Sequence, residues 1–435
     1  MTSDTSFSGS HLLAQLSSVF PDLEFQPNYP MKKLTYFKVG GPAEVLVKIH
    51  SRQNLIELVR YCQKNQIKFT VLGGASNVIV SDQGISGLVI IPDFDRVELI
   101  QQDQLSQSTQ ASQDGQVSQA NRASQVGQAG QTIQATQASQ ATQATQATQA
   151  NQAAQSTGLL RVEAGARTAL AVAKSVELGL TGLEYFLGIP GRIGGAVYNN
   201  AHYLSDLISD YIKQVEIIDH NGRVRWLSKK ECDFAYDHSR FHQTKEVILR
   251  VDFLLPKVEQ DSGGAKQSGG AKGAEGSGQP KEILHNEVDK QAGLKPSVKS
   301  NRQPTQQLSQ KSNKKAVGKS REKIKQATEY RAKTQPLGLP SSGCIFKNTP
   351  NTPELRKKFP QFADKEFVPT GFLIDQAGLK GESVGDIEVS HKHAAFFVNH
   401  GQGTANDIKQ LLEKVQRTIK QKFNVELEPE VFWLE

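Results

Sequence analysis

Apolar residues in this chain fall in short runs broken by glycine pairs, and the spacing inside each run sets the element it predicts. Leu34, Tyr36, Phe37 and Val39 lead into Gly40-Gly41, after which Val45, Leu46, Val47 and Ile49 resume. That pattern predicts a strand, a double-glycine turn and a second strand. Ser51 then stands as the N-cap of a helix over 51–64, whose apolar positions Leu55, Ile56, Leu58, Val59 and Cys62 keep helical spacing. Apolar runs at 69–72, 78–80 and 88–91 predict three more strands. A β-α-β-turn-β order of this kind belongs to a small α/β unit. Ahead of it, 11–20 has the texture of a short amphipathic helix ended by Pro21.

A second set follows the same logic. A strand over 159–162 leads to a helix over 168–178 with Gly179 as its stop. Alternating apolar positions at 215–219 and 224–227 flank Asn221-Gly222, a hairpin signal, and 247–255 predicts a further strand. In a third set, 371–376 and 394–399 read as core elements. Thr404 there caps a helix carrying Ile408, Leu411, Leu412, Val415, Ile419 and Phe423 at helical spacing.

Two stretches carry no such pattern. Residues 101–157 are a Gln/Ala/Ser/Thr tract with Gln-Ala-Thr triplets, and 257–325 mix Gly, Ser, Gln and Lys. Neither can build a core, so both read as solvated insertions. They account for the low overall hydrophobic share of 37%. They also account for the charge. Residues 257–333 hold 17 Lys/Arg against 8 Asp/Glu, a local +9 that leaves −2 of the overall +7 for the rest. The basicity sits on a tether rather than a folded face, so no nucleic-acid partner is expected. Cys62, Cys232 and Cys344 are odd in number and form no CxxC pair, so neither a disulfide framework nor a zinc site is indicated and a reducing cytoplasm fits. The first ten residues lack the features of a signal peptide, and no run of eighteen apolar residues exists to enter a membrane. His391 and His393 lack a third ligand at metal spacing.

The candidate chemistry lies at three glycine-bearing runs. Gly73-Gly74-Ala75-Ser76-Asn77 follows a strand and offers consecutive N–H groups that suit a phosphate; an ordinary tight turn explains the same residues. The run over 182–202 contains Gly188-Ile189-Pro190-Gly191 and Gly194-Gly195-Ala196, with Asn200 close behind. So many glycines predict neither helix nor strand but a loop wrapping a flat anionic ligand. Leu339-Pro340-Ser341-Ser342-Gly343-Cys344-Ile345-Phe346-Lys347-Asn348 places a thiol just after a glycine, where backbone approaches a ligand closely. A buried strand with a small cysteine fits that run as well.

Taken in order, these blocks resemble the UDP-N-acetylenolpyruvoylglucosamine reductase (MurB) family. The matching residues are Thr35-Tyr36-Phe37 with Gly40-Gly41-Pro42-Ala43, Leu72 to Val78, Gly188 to Ala196 with Asn200-Ala201, Cys232-Asp233-Phe234-Ala235-Tyr236, Gly343 to Asn348, Ser390-His391-Lys392-His393-Ala394 and Leu427-Glu428-Pro429-Glu430-Val431. The resemblance implies a mixed α/β and α+β fold: a two-subdomain, vanillyl-alcohol-oxidase-like FAD domain (28–100 and 158–256), then a substrate domain (326–435) whose last strand returns to the active site. It implies FAD and NADPH as cofactors, a UDP-sugar as substrate and a monomeric cytoplasmic enzyme without metal. By match, Gly73, Gly74, Ala75, Ser76, Asn77, Gly188, Ile189, Pro190, Gly191, Gly194, Gly195, Ala196 and Asn200 hold FAD. Tyr236, Lys347 and Asn348 meet substrate, Glu430 is the catalytic glutamate, and Cys344 stands where the family has a serine proton donor. Asp237 stands where the family has an arginine for the substrate carboxylate, and Arg240 is the nearby replacement; Thr334 displaces an expected lysine. A flavin oxidase of another small substrate and an inactive nucleotide-binding module remain alternatives.

Overall fold

The structure is a computed structural model that describes residues 6–100, 156–203, 206–258 and 310–435. In the first unit, α1 (Ser6–Val19) precedes β1 (Phe25–Pro30), β2 (Pro42–Ile49), α2 (Arg52–Lys64), β3 (Phe69–Val71), β4 (Val78–Val80) and β5 (Ile85–Pro92). Four strands form a sheet in the order β1-β2-β5-β3, with β2 and β3 parallel to β5 and β1 antiparallel to β2. Side chains alternate across a strand, and the consequence is direct in β2. Val45, Val47 and Ile49 pack under α1 and α2 against Leu16, Leu55 and Leu58, whereas Leu46 joins Met31, Leu72 and Val89 on the opposite face. Ser51 accepts from Asn54 N and caps α2 as its sequence predicts.

The second unit is a five-stranded antiparallel sheet, order β11-β10-β12-β7-β6, built from β6 (Val97–Ile100), β7 (Thr157–Glu163), β10 (Ile212–Ile218), β11 (Val224–Ser228) and β12 (Val247–Pro256). Gly222 takes a left-handed φ of 73° in the β10–β11 hairpin, the conformation the Asn-Gly signal calls for. Between β7 and β10 lie α3 (Thr168–Glu177), α4 (Ile193–Tyr198) and the two-residue strands β8 (His202–Tyr203) and β9 (Asp206–Leu207). The glycine run is therefore not wholly a loop. Ile193, Ala196 and Val197 are buried on one side of α4, which turns Ile193–Tyr198 into a helical turn docked on the sheet.

The third unit begins earlier than its composition suggests. α5 (Gln310–Thr334) covers the end of the basic stretch that reads as a solvated insertion up to residue 325. Its buried positions Ser320, Ile324, Ala327 and Arg331 are three to four residues apart, enough to dock one stripe of a polar helix. Ser320 Oγ donates to Glu184 Oε1 at 2.6 Å, joining the helix to the second unit. Next come the short pair β13 (Thr349–Pro350) and β14 (Phe367–Val368), then α6 (Thr370–Gln376). A three-stranded sheet of β15 (Ser383–Val384), β16 (Ile387–Val389) and β17 (Phe397–Asn399) follows, packed by α7 (Ala405–Phe423). Thr404 and Asp407 form a reciprocal capping box on α7. The chain then returns to the first unit, where β18 (Phe432–Leu434) pairs in parallel with β4. The predicted tract 101–157 lies outside the described residues apart from its last two, and so does 259–309 of the second tract.

Candidate active site

A cavity of about 1760 Å³ opens where the three units meet. Its first wall is made of two glycine loops in backbone contact. A Cβ added at Gly74 would stand 2.4 Å from Gly191 Cα, and one at Gly191, whose φ is +115°, would stand 2.8 Å from Ser76 Oγ. Ser76 Oγ donates to Pro190 O at 3.0 Å and locks the contact. Gly195, by contrast, faces open space. Arg192 anchors the loop from below, donating to Asp93 Oδ1 at 2.6 Å and to Gly165 O. Arg331 clamps its start, donating to Tyr185 O and Leu187 O with its guanidinium 4.4 Å from the Tyr203 ring centroid. Gly73, Gly74, Ala75, Ser76, Asn77 and Gly188 to Ala196, except the buried Ile193, all line the cavity.

Asn200 does not. Its Nδ2 donates to Ala235 O at 2.7 Å and its Oδ1 accepts from Ser209 N at 3.2 Å. Both ends of this fully buried amide are engaged, Nδ2 by the 235–237 turn and Oδ1 by Ser209, one layer behind the wall.

The second wall carries the titratable groups. Cys344 follows Gly343, whose φ is +85°. The expected strand at 345–346 is absent; the segment is instead threaded between two neighbours. Ile345 N donates to Ala395 O at 2.9 Å, Glu430 N donates to Ile345 O at 2.8 Å, and Lys347 N donates to Glu428 O at 3.0 Å. That threading brings Cys344 and Glu430 to one end of the cavity. Burial pushes the Cys344 thiol well up, and the nearby Glu430 and Asp237 add to it. Burial also raises Glu430, with Asp237 acting in the same direction and Lys347 against it. Cys344 therefore keeps its proton at neutral pH, and the same burial favours the protonated form of Glu430.

Tyr236 lies beside them, stacked on Phe367 with centroids 5.4 Å apart. Its hydroxyl accepts from Asn348 Nδ2 at 2.9 Å, and Asn348 Oδ1 accepts from Thr370 N. Burial and then Asp237 and Glu430 push the phenol's titration up. Lys347 forms an ion pair with Glu428 and lines a smaller cavity of about 300 Å³ beside the main one. Asp237 and Glu430 line both cavities.

Three features were not assigned a role from sequence. Asp237, at φ +48°, places Oδ1 3.0 Å from His202 Nδ1, while its Oδ2 is buried without a partner. His202 Nε2 stands 3.3 Å from the Tyr236 hydroxyl. His393 lines the cavity too, accepting from Ala395 N at Nδ1; burial lowers its pKa and keeps it neutral. Arg240 does not replace the missing arginine: Glu246 and Glu231 O take its guanidinium. The sequence offered one signal for His202, its place at the end of the glycine run.

Residues 335–434 match the family model described as UDP-N-acetylenolpyruvoylglucosamine reductase, C-terminal domain. The UDP-N-acetylenolpyruvoylglucosamine reductase of Latilactobacillus sakei subsp. sakei is 30% identical over 94% of this chain and 93% of its own length. That of Clostridium novyi is 29% identical over 96% and 94%. The crystal structure of the Thermus caldophilus enzyme (MurB) aligns with a TM-score of 0.55 at 22% identity, covering 95% of this chain and 99% of that one. End-to-end coverage at this identity, joined to one fold, decides the assignment: the chain belongs to the UDP-N-acetylenolpyruvoylglucosamine reductase family of FAD-dependent oxidoreductases.

Proposed function

We propose that the cavity between the three units reduces UDP-N-acetylglucosamine enolpyruvate to UDP-N-acetylmuramate, the peptidoglycan-precursor step of the family, with NADPH as electron source. One observation carries the reading: Cys344 and Glu430, two acids whose protonated forms burial favours, stand at the end of a cavity whose other wall is a glycine cradle. The cavity exceeds the roughly 300–1,000 Å³ of an ordinary ligand pocket, which suits a dinucleotide and a sugar nucleotide together.

The residues present fit FAD. Gly74 and Gly191 leave no room for a side chain of their own, and Gly195 presents bare backbone to open space. When bound there, FAD would take electrons from NADPH and supply hydride to the enolpyruvyl double bond. The chain's own residues do the rest. The 73–77 and 188–196 loops bind and orient the cofactor through peptide N–H groups. Cys344 gives its proton to the substrate carbon left electron-rich after reduction. A thiol yields a proton more readily than a serine hydroxyl, and the apolar burial keeps it loaded. Glu430, whose protonated form burial favours, donates a hydrogen bond to the enolpyruvyl group. Tyr236 and Asn348 orient substrate, and Lys347 places positive charge near Glu430. The division into 28–100, 158–256 and 326–435 follows as cofactor cradle, cofactor sheet and substrate domain. Cys62 and Cys232 are free and buried, their thiols pushed up to about 12, which suits a cytoplasmic setting.

The test is NADPH oxidation by the flavin-loaded protein with and without the enolpyruvyl nucleotide. A substrate-dependent rate is expected. A rate that ignores the nucleotide would sink the reading.

A further inference from the structure

We propose that His202, held by Asp237, recognises the substrate's enolpyruvyl carboxylate through the hydroxyl of Tyr236. The inference deepens the reading above and rests on it. It starts from the hydrogen-bond directions around Tyr236. Thr370 N donates to Asn348 Oδ1, so the Asn348 amide can present only Nδ2 to Tyr236, at 2.9 Å. The Tyr236 oxygen is therefore an acceptor, and its own proton must go elsewhere. Within the protein its partner is His202 Nε2, 3.3 Å away. His202 Nδ1 stands 3.0 Å from Asp237 Oδ1, an acceptor that fixes the Nδ1–H tautomer and leaves Nε2 bare. In this state the Tyr236 O–H points at the imidazole.

The substrate of the reaction carries a carboxylate on a carbon of the double bond that Cys344 and Glu430 address. It must be met by donors or by positive charge. Three cations of the surrounding segments have other partners: Lys347 has Glu428, Arg240 has Glu246, and Lys245 has the Tyr198 hydroxyl. His393 is neutral. An imidazole that takes up a proton from water donates from Nε2 to the Tyr236 oxygen. This turns the phenol O–H toward the ligand and places a cation behind it. Asp237 faces the imidazole through Oδ1, and its buried, unpartnered Oδ2 lies alongside. The aspartate thus works through histidine: it repels an anion by itself and supports a cation as part of the pair. The ring of His202 packs 4.8 Å from that of Tyr236, which keeps the geometry in place. His202 is a positioning residue, since Tyr236 makes the contact.

The experiment compares two ligands on flavin-loaded protein by flavin absorbance titration: the enolpyruvyl nucleotide, and UDP-N-acetylglucosamine, which lacks the carboxylate. His202→Leu is expected to weaken the first by about tenfold or more and the second by less than about twofold. His202→Gln, which keeps a donor without the charge, is expected to fall between, and Asp237→Asn to follow His202→Leu. Equal loss for both ligands, or no loss for either, overturns the proposal and leaves His202 a structural residue. If the unsubstituted protein binds the two ligands equally well, the site reading itself fails, independently of His202.

Discussion

At the scale of single residues, Cys344 and Glu430 show how burial, with Asp237 acting in the same direction, favours the protonated form of an acid. Each is an acid whose charged form is penalised, so each holds its proton to higher pH than a solvent-exposed counterpart. Cys344→Ser keeps a proton-bearing group after Gly343 and is expected to retain substrate turnover, whereas Cys344→Ala is expected to lose it while the protein still binds flavin. Turnover by the alanine variant at the unsubstituted rate would remove Cys344 from the mechanism. For Glu430 the sign follows from the raised pKa. The proton is held above the ordinary glutamate range and lost as pH rises through the folded value, so the substrate step should slow on the alkaline side of that value. Glu430→Gln cannot ionise, so it should abolish that alkaline limb and slow the step by about 10²–10⁴-fold; stopped-flow rates across pH measure both. That these two residues face the cavity was legible because their neighbours in sequence, Gly343 and Pro429-Glu430-Val431, carry the signal. The Asp237–His202 pair was not, because 35 residues separate its members and only the left-handed turn at Asp237 brings them together.

At the scale of elements, the glycines were readable as a ligand wall but their mutual contact was not. Sequence shows that 73–77 and 188–196 each lack bulk; only the fold shows that they lack it for each other. Gly74→Ala is therefore expected to part the two loops and cost the protein its flavin, read as loss of yellow colour and of bound-flavin absorbance on gel filtration. Gly195→Ala, with nothing within 4 Å of its Cβ, is the matched control and should still fold. Flavin held by Gly74→Ala as firmly as by the parent would refute the backbone-contact account. The same limit explains α4 and α5. Helical burial overrides glycine propensity in Ile193–Tyr198, and a stripe of four buried positions was too sparse to stand out in the basic composition of Gln310–Thr334.

At the scale of the whole molecule, the site exists only because three units are held in register. Asn399 Nδ2 donates to Phe37 O at 2.9 Å and β18 pairs with β4, joining the third unit to the first. Glu216 joins the first to the second: Arg52 from α2 and Arg250 from β12 each grip its carboxylate through two hydrogen bonds of 2.7–2.8 Å. Burial alone would raise its pKa, but the Arg250 and Arg52 bonds outweigh that and hold it below the usual glutamate range. A lowered carboxylate pKa contributes stability that is complete above the unfolded value and is lost as pH falls through the folded one. Glu216→Ala leaves two half-buried guanidinium groups without their partner. At neutral pH it is expected to cost on the order of 3 kcal/mol, at the low end for a broken buried pair because both arginines are about a quarter exposed. Urea unfolding followed across pH checks both parts. The variant should be destabilised at pH 7, and the gap to the parent should narrow below the glutamate range, where the parent carboxylate also loses its charge. A gap that stays constant with pH would show that packing, not the ion pairs, joins the two units.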